Sequence, residues 1–132
     1  MAANYTLLLL EDEPLILMDL EFAAEDCGCV SITAASSEAA LKILGRKDIQ
    51  IDMAILDVSL GAGDTCFPVA HELEQLNIPY ILHSGDLDRH NERIRQLDAQ
   101  LIAKPAAAER VVGAAIAHAQ GGEAPPLRPA AR

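Results

Sequence analysis

Aromatic residues are scarce in this sequence, which has no tryptophan, two tyrosines and two phenylalanines among 132 residues. Hydrophobic residues nevertheless make up 51% of the chain. The core must therefore be built almost entirely from aliphatic side chains, which suits helices packed on a parallel sheet. The length predicts one domain that can bury a sizeable core.

Basic residues are also few. Ten lysines and arginines stand against twenty aspartates and glutamates, which gives a net charge of -10. Such a balance repels phosphate backbones, so we expect no nucleic-acid partner.

Cysteine pairs and long apolar runs are missing as well. The cysteines, Cys27, Cys29 and Cys66, contain no C-x-x-C pair, which argues against a disulfide framework or a zinc site. The leucine run at residues 7–10 is short and followed at once by acid, so it is neither a secretory signal nor a membrane span. We expect a soluble, cytoplasmic protein without a membrane partner. The histidines lack metal-ligand spacing, and we expect packing or solvent roles for His71, His83, His90 and His118.

Five short apolar segments predict buried strands, because each is bounded by polar residues or turn signals. They are residues 5–10, 29–34, 53–56, 80–83 and 101–103.

Amphipathic segments alternate with these strands. Pro14 suits the first turn of the first helix, and Gly28 can close it. The spacing predicts that this helix buries Ile16, Leu20, Ala23 and Cys27. A second apolar stripe on the same helix has two interpretations, core or docking surface, and consists of Leu15, Met18 and Phe22.

The later helices follow the same rules. Ser36 or Ser37 caps the second helix, which stops at Gly45. The third has Pro68 in its first turn and ends at Asn77, with a predicted inward face of Val69, Leu73 and Leu76. Part of residues 86–96 is interpreted as a short fourth helix. The buried face of the last helix is predicted to carry Ala108, Val112, Ala115 and Ala119.

This order predicts an α/β domain at residues 1–120, a doubly wound five-stranded parallel sheet with helices on both faces. Residues 121–132 are rich in proline, glycine and alanine, and they predict a disordered tail. In such a sheet, ligands bind outside the carboxyl ends of the strands.

Polar side chains follow four of the predicted strands. Glu11 and Asp12 come after the first, Asp57 after the third, Ser84 after the fourth and Lys104 after the fifth. Three carboxylates at one edge of a sheet repel one another, so at least one pKa should rise unless a cation binds. A hard divalent ion relieves this repulsion, and magnesium prefers carboxylates, waters and phosphate oxygens.

This pattern, an acidic pair, a central Asp, a Ser or Thr and a Lys-Pro on successive strand ends, resembles the receiver domain of two-component response regulators. The resemblance covers residues 4–120 and implies a flavodoxin-like fold with strand order 2-1-3-4-5. Residues 60–68 and 79–86 are similar to an atypical stand-alone subgroup of that family.

The resemblance implies that Asp57 is the phosphoacceptor. It also implies a Mg²⁺ site whose ligands are Glu11, Asp12, Asp57 and the backbone carbonyl of Ser59.

Two further roles follow from the resemblance. Ser84 would bond a phosphoryl oxygen, and Lys104 would pair with Asp57 before transfer and with the phosphoryl group afterwards. The Lys104–Pro105 bond is implied to be cis. Phosphohistidine would be the donor, and the domain would slowly dephosphorylate itself without being a conventional enzyme.

The sequence departs from the family pattern at three places. The first acid of the pair is Glu11, where the family usually has Asp. Leu101 stands where an aromatic residue usually couples to the Ser84 position, so a signal should travel by another route. Ala106 follows Lys-Pro, where Phe is frequent.

We therefore predict a single-domain response regulator that is phosphorylated by a histidine kinase or a histidine phosphotransfer protein. It would signal by contact with a downstream protein, with homodimer formation left open. The alternatives are a receiver-like adaptor that never turns over phosphate and a receiver excised from a longer regulator. An aspartyl-phosphate phosphohydrolase is disfavoured, because such enzymes usually need a second Asp at the position of Ser59.

Overall fold

A computed structural model of the chain describes residues 5–85, 94, 96–97 and 99–121. Strands and helices alternate along the chain, and the observed ends of the strands differ from the predicted ends by at most two residues. The elements are β1 (Thr6–Leu10), α1 (Pro14–Asp26), β2 (Val30–Ala34), α2 (Ser37–Leu44), β3 (Met53–Leu56), α3 (Phe67–Gln75), β4 (Tyr80–Ser84), β5 (Gln100–Ala103) and α4 (Ala108–Ala119).

The strands form one parallel sheet in the order β2-β1-β3-β4-β5. Leu10, at the end of β1, pairs with Ala34 of β2 on one side and with Leu56 of β3 on the other. Ser84, at the end of β4, pairs with Ala103 of β5. The predicted fold class and strand order are confirmed, and the strand ends meet at one edge.

Both faces of the sheet are covered, which explains why its central strands are apolar without interruption. Leu8 and Leu10 point into a core shared with α2 and α3. Leu7 and Leu9 point the other way, into a core shared with α1 and α4. β3 lies between the two cores and is buried along its whole length. Asp57, the residue that follows it, is therefore held at the end of a fully packed strand.

Two predictions about helix faces need correction. Leu76, predicted to face inward, lies just after the end of α3 and is 45% exposed. The core interpretation of the second α1 stripe is also wrong, since Leu15 is 72%, Met18 41% and Phe22 56% exposed. Both errors have one cause: periodicity identifies an apolar stripe but not whether another element covers it.

The predicted fourth helix and the predicted tail are described only in part or not at all. In the predicted fourth helix, Ile94 and Gln96 are helical, whereas residues 86–93 and 95 lie outside the described residues, as do residues 122–132 of the predicted tail. No helix in the described ranges is long and apolar enough to cross a membrane. Cys27, Cys29 and Cys66 form no disulfide bond with one another.

Candidate functional site

The predicted site residues come together because the hydrogen-bond ladder continues just past the strands. The Asp57 N–H donates to the carbonyl oxygen of Leu10 at 2.8 Å, which fixes Asp57 beside Glu11. The Lys104 N–H donates to the carbonyl oxygen of Ser84 at 3.1 Å. Backbone pairing therefore aligns these side chains along one edge of the sheet.

Three carboxylates form a cluster at this edge. One oxygen from each of Glu11, Asp12 and Asp57 lies within 4.8 Å of the others. Glu11 is 1% and Asp57 5% exposed, whereas Asp12 reaches solvent. Among the residues that the structure describes, this is the group of acidic, His or Cys side chains close enough to share a metal ion. All-oxygen donors with one solvent-accessible member fit Mg²⁺, which keeps several of its waters.

Lys104 bridges the two buried carboxylates. Its Nζ atom lies 3.0 Å from Glu11 Oε1 and 3.2 Å from Asp57 Oδ2. The contact with Asp57 is the one that the resemblance implied, whereas the ion pair with Glu11 was not predicted. The Lys104–Pro105 peptide bond is cis, as the resemblance implied.

The titration of these groups reflects burial more than repulsion. Burial raises the pKa of Glu11 to about 7, and Asp57 adds to the rise while Lys104 opposes it. Burial also raises the pKa of Asp57, again against the effect of Lys104. Burial acts to lower the pKa of Lys104, but its contacts with Glu11 and Asp57 raise it overall. The predicted rise in a carboxylate pKa is confirmed, with desolvation as its main cause.

Two serine hydroxyls lie near the cluster with unused hydrogen-bonding capacity. Ser84 is fully buried and close to the Asp57 carboxylate. Neither Ser84 Oγ nor Ser59 Oγ has a hydrogen-bond partner of standard geometry within the described part of the chain. A buried hydroxyl without a partner is unusual and indicates a group that a ligand can satisfy.

The loop between β3 and α3 covers part of the acidic cluster near Asp12. The sequence did not predict this role. The Cys66 N–H donates to the Val58 carbonyl at 3.0 Å, and Ser59 pairs with Thr65 in an isolated antiparallel bridge. Gly61 has a φ of +84°, and a Cβ there would lie 3.2 Å from Asp12 Oδ2. A glycine soon after the central Asp was the available signal for this close approach.

The same loop is anchored to α2, the helix that precedes β3 in the chain. The Asp64 carboxylate accepts hydrogen bonds from the Ser37 N–H at 2.8 Å and from the Thr65 N–H at 3.0 Å. Because Ser37 is the first residue of α2, Asp64 satisfies a free N–H at the start of that helix. Ser36, the N-cap, accepts from the Ala39 N–H at 3.1 Å.

His83 is a second feature that the sequence did not single out. It immediately precedes Ser84 on β4, is 3% exposed and lies on the α1–α4 face of the sheet. Burial, followed by the charge of Lys104, lowers its pKa to about 4. Of the two expected roles, packing or contact with solvent, its burial excludes the second.

Comparison with known proteins was made by sequence and by structure. No family model matches the chain, and neither does any curated protein. Among solved structures, SdrG from Sphingomonas melonis Fr1 is 36% identical, with a TM-score of 0.70 over 91% of this chain and 99% of that one.

Two further solved structures are receiver domains by description. The PhyR response regulator REC domain of Erythrobacter litoralis is 25% identical, with a TM-score of 0.75 over 94% of this chain and 95% of that chain. A response regulator receiver protein from Sinorhizobium medicae WSM419 shares the fold at 21% identity, with a TM-score of 0.77 over 92% of this chain and 98% of that chain. With the confirmed strand order and the acidic cluster at the sheet edge, these similarities establish that the chain belongs to the receiver domains of response regulators.

Proposed function

We propose that this receiver domain accepts a phosphoryl group on Asp57 from the phosphohistidine of a histidine kinase or a phosphotransfer protein in the cytoplasm. The observation that supports this most is the position of Asp57, which is buried in the carboxylate cluster and 3.2 Å from the Lys104 ammonium. The phosphorylated domain then signals by contact with a downstream protein.

The donor atoms at the sheet edge suit Mg²⁺. Glu11, Asp12 and Asp57 would hold the ion together with the backbone carbonyl of Ser59. When bound, Mg²⁺ supplies positive charge that offsets the negative charge of a transferring phosphoryl group. The burial of two of the three carboxylates strengthens this assignment, since desolvated acids gain most from a cation.

The chemistry then rests on three side chains. A carboxylate oxygen of Asp57 attacks phosphorus in line, so that an O–P bond forms while the P–N bond to the donor imidazole breaks. The Lys104 ammonium, already beside Asp57, is placed to pair with a phosphoryl oxygen. The Ser84 hydroxyl lies close to Asp57 but has no hydrogen-bond partner of standard geometry in the described residues, so it can donate to a second phosphoryl oxygen.

The exposed stripe of α1 supplies a docking surface for the donor protein. Leu15, Met18 and Phe22 are all at least 41% exposed, and the helix begins directly after the acidic pair. A protein bound there would place its phosphohistidine near the edge of the sheet. Exposed apolar stripes of this kind typically bind a partner helix.

Phosphorylation by phosphoramidate with Mg²⁺ tests the acceptor assignment. We expect the wild-type chain to gain one acid-labile phosphoryl group, measured by intact mass, and Asp57→Asn to gain none. Asp26→Asn, which removes an exposed carboxylate at the end of α1, is the matched control and should behave like wild type.

Two results would contradict the proposal. Undiminished phosphate on Asp57→Asn would place the acceptor elsewhere. A wild-type chain that binds Mg²⁺ but stays unphosphorylated would favour the alternative of an adaptor that does not turn over phosphate.

A further inference from the structure

A cavity of about 250 Å³ lies beside the carboxylate cluster, on the face of the sheet that α1 and α4 cover. Most of its lining is apolar. Ile16 and Leu20 of α1 form one side, and Pro105, Ala106 and Ala108 form the other. The small alanine side chains leave this space open between the helix and the chain that follows β5.

His83 is the uncharged polar side chain in the lining of this cavity. It is 3% exposed, and neither ring nitrogen has a hydrogen-bond partner among the residues that the structure describes. Buried polar atoms are nearly always paired, so an unpaired imidazole that lines a cavity indicates a missing partner. With its pKa lowered to about 4, the ring is neutral near pH 7 and offers one N–H donor and one acceptor.

Charge around the cavity disfavours an anion. Asp19, an acidic residue, is part of the lining. Lys104 also lines it, but its ammonium is already paired with Glu11 and Asp57. The net charge of -10 repels anions further.

We propose that this cavity binds a small neutral molecule with one apolar ring and one hydroxyl or ring N–H, which hydrogen-bonds to His83. An apolar cavity of about 150 Å³ is enough to hold benzene, so this volume admits a ring with a polar substituent. Lys104 belongs both to the cavity and to the acidic cluster, so the ligand lies one side chain away from Asp57. Binding does not depend on the proposed phosphorylation.

Phenol is the probe, and two-dimensional NMR of the Mg²⁺-free chain is the measurement. We expect saturable shifts of the backbone amide signals of Ile16, Leu20, His83 and Ala106, all fitting one dissociation constant. Toluene, which keeps the ring but lacks the hydroxyl, should bind about tenfold more weakly to the same protein.

Three substitutions separate binding in the cavity from general effects on the fold. Ala106→Leu fills the space and should weaken phenol binding by about tenfold or more. Ala107→Leu, at the exposed neighbouring position, is the matched control and should retain the wild-type affinity. His83→Leu should remove the preference for phenol over toluene.

The proposal is overturned if phenol causes no saturable shifts in the wild-type chain. Equal affinities of Ala106→Leu and Ala107→Leu would overturn the location. Equal binding of phenol and toluene to the wild-type chain would overturn the role of His83, and it requires no variant that might misfold.

Discussion

The Glu11 side chain combines nearly complete burial with a negative charge. Its oxygens lie 3.0 and 3.2 Å from the Lys104 ammonium, and one of them also accepts from the Glu13 N–H at 3.2 Å. These contacts do not fully replace the water that burial removes, so the pKa of Glu11 still rises to about 7. Metal binding needs the ionised carboxylate, and Mg²⁺ should therefore bind more tightly as the pH rises through 7.

The raised pKa of Glu11 predicts how stability depends on pH. Between its ordinary value of 4.5 and about 7, the folded protein holds more protons at Glu11 than the unfolded chain does. The contribution of protonated Glu11 to the free energy of unfolding is therefore complete below pH 4.5, and it is lost as the pH rises to 7. Relative to Glu11→Gln, the free energy of unfolding of the Mg²⁺-free wild type should fall by about 1 kcal/mol per pH unit across this window.

Urea unfolding of both proteins between pH 4.5 and 8 measures this difference. The comparison with Glu11→Gln removes the opposite contribution of His83, whose lowered pKa destabilises the fold as the pH falls from 6.5 to about 4. A constant difference between the two proteins over the whole range would show that Glu11 titrates normally.

At the scale of elements, the loop between β3 and α3 determines how open the acidic site is. It folds back on itself through the Ser59–Thr65 bridge and is tied to the start of α2 by Asp64. Gly61 and Gly63 both have φ values in the left-handed region, +84° and +80°. Only Gly61 approaches the acidic pair, whereas a Cβ at Gly63 would meet nothing within 4 Å.

These two glycines allow a matched experiment on the metal site. Gly61→Ala and Gly63→Ala should each lower the free energy of unfolding by about 1 kcal/mol, because both force alanine into a left-handed conformation. Only Gly61→Ala should also weaken Mg²⁺ binding severalfold, since its methyl group crowds Asp12 Oδ2. Calorimetric titration with Mg²⁺ measures the affinity, and equal affinities would exclude Asp12 as a ligand positioned by this loop.

On β5, the departure from the family pattern remains. Leu101 is half-buried and packs against the core shared with α2 and α3. An aliphatic side chain there has neither a ring nor a hydroxyl with which to report the state of Ser84. The sequence-based expectation that a signal travels by another route therefore stays a prediction.

At the scale of the whole molecule, the exposed apolar residues of α1 lie close to the acidic site. α1 presents Leu15, Met18 and Phe22 to solvent and starts two residues after Asp12. Leu76, another exposed apolar residue, lies after α3 and therefore near the start of β4, at the opposite edge of the sheet. The molecule thus has an apolar surface beside its acidic site.

The placement of these surfaces predicts separate effects on two phosphodonors. Phe22→Asp should slow phosphotransfer from a phosphorylated histidine phosphotransfer protein by about tenfold or more, because it places a charge in the proposed docking surface on α1. Phosphorylation by phosphoramidate should be unchanged, since the site itself is untouched. Leu76→Asp is the control, and transfer rates are measured from the phosphoprotein band over time.

An equal slowing by Leu76→Asp would contradict the assignment of the docking surface to α1. A Phe22→Asp variant that transfers at the wild-type rate would exclude Phe22 from the contact.

The sheet and the group of residues at its edge could be predicted from the amino-acid sequence. Short apolar segments that alternate with amphipathic ones leave few arrangements other than a doubly wound parallel sheet. Such a sheet necessarily brings Glu11, Asp57 and Lys104 to one side. These features depend on local residue patterns and on the order of the elements along the chain, and both can be recognised in the sequence.

The surroundings of those residues could not be predicted and became known from the three-dimensional fold. It showed that Glu11 shares Lys104 with Asp57, that His83 lines a cavity without a partner, and that Phe22 is exposed. Each fact depends on which other elements pack nearby and on how much water they exclude. Residue spacing cannot encode this, because burial and pKa arise from contacts between segments that are distant in the chain.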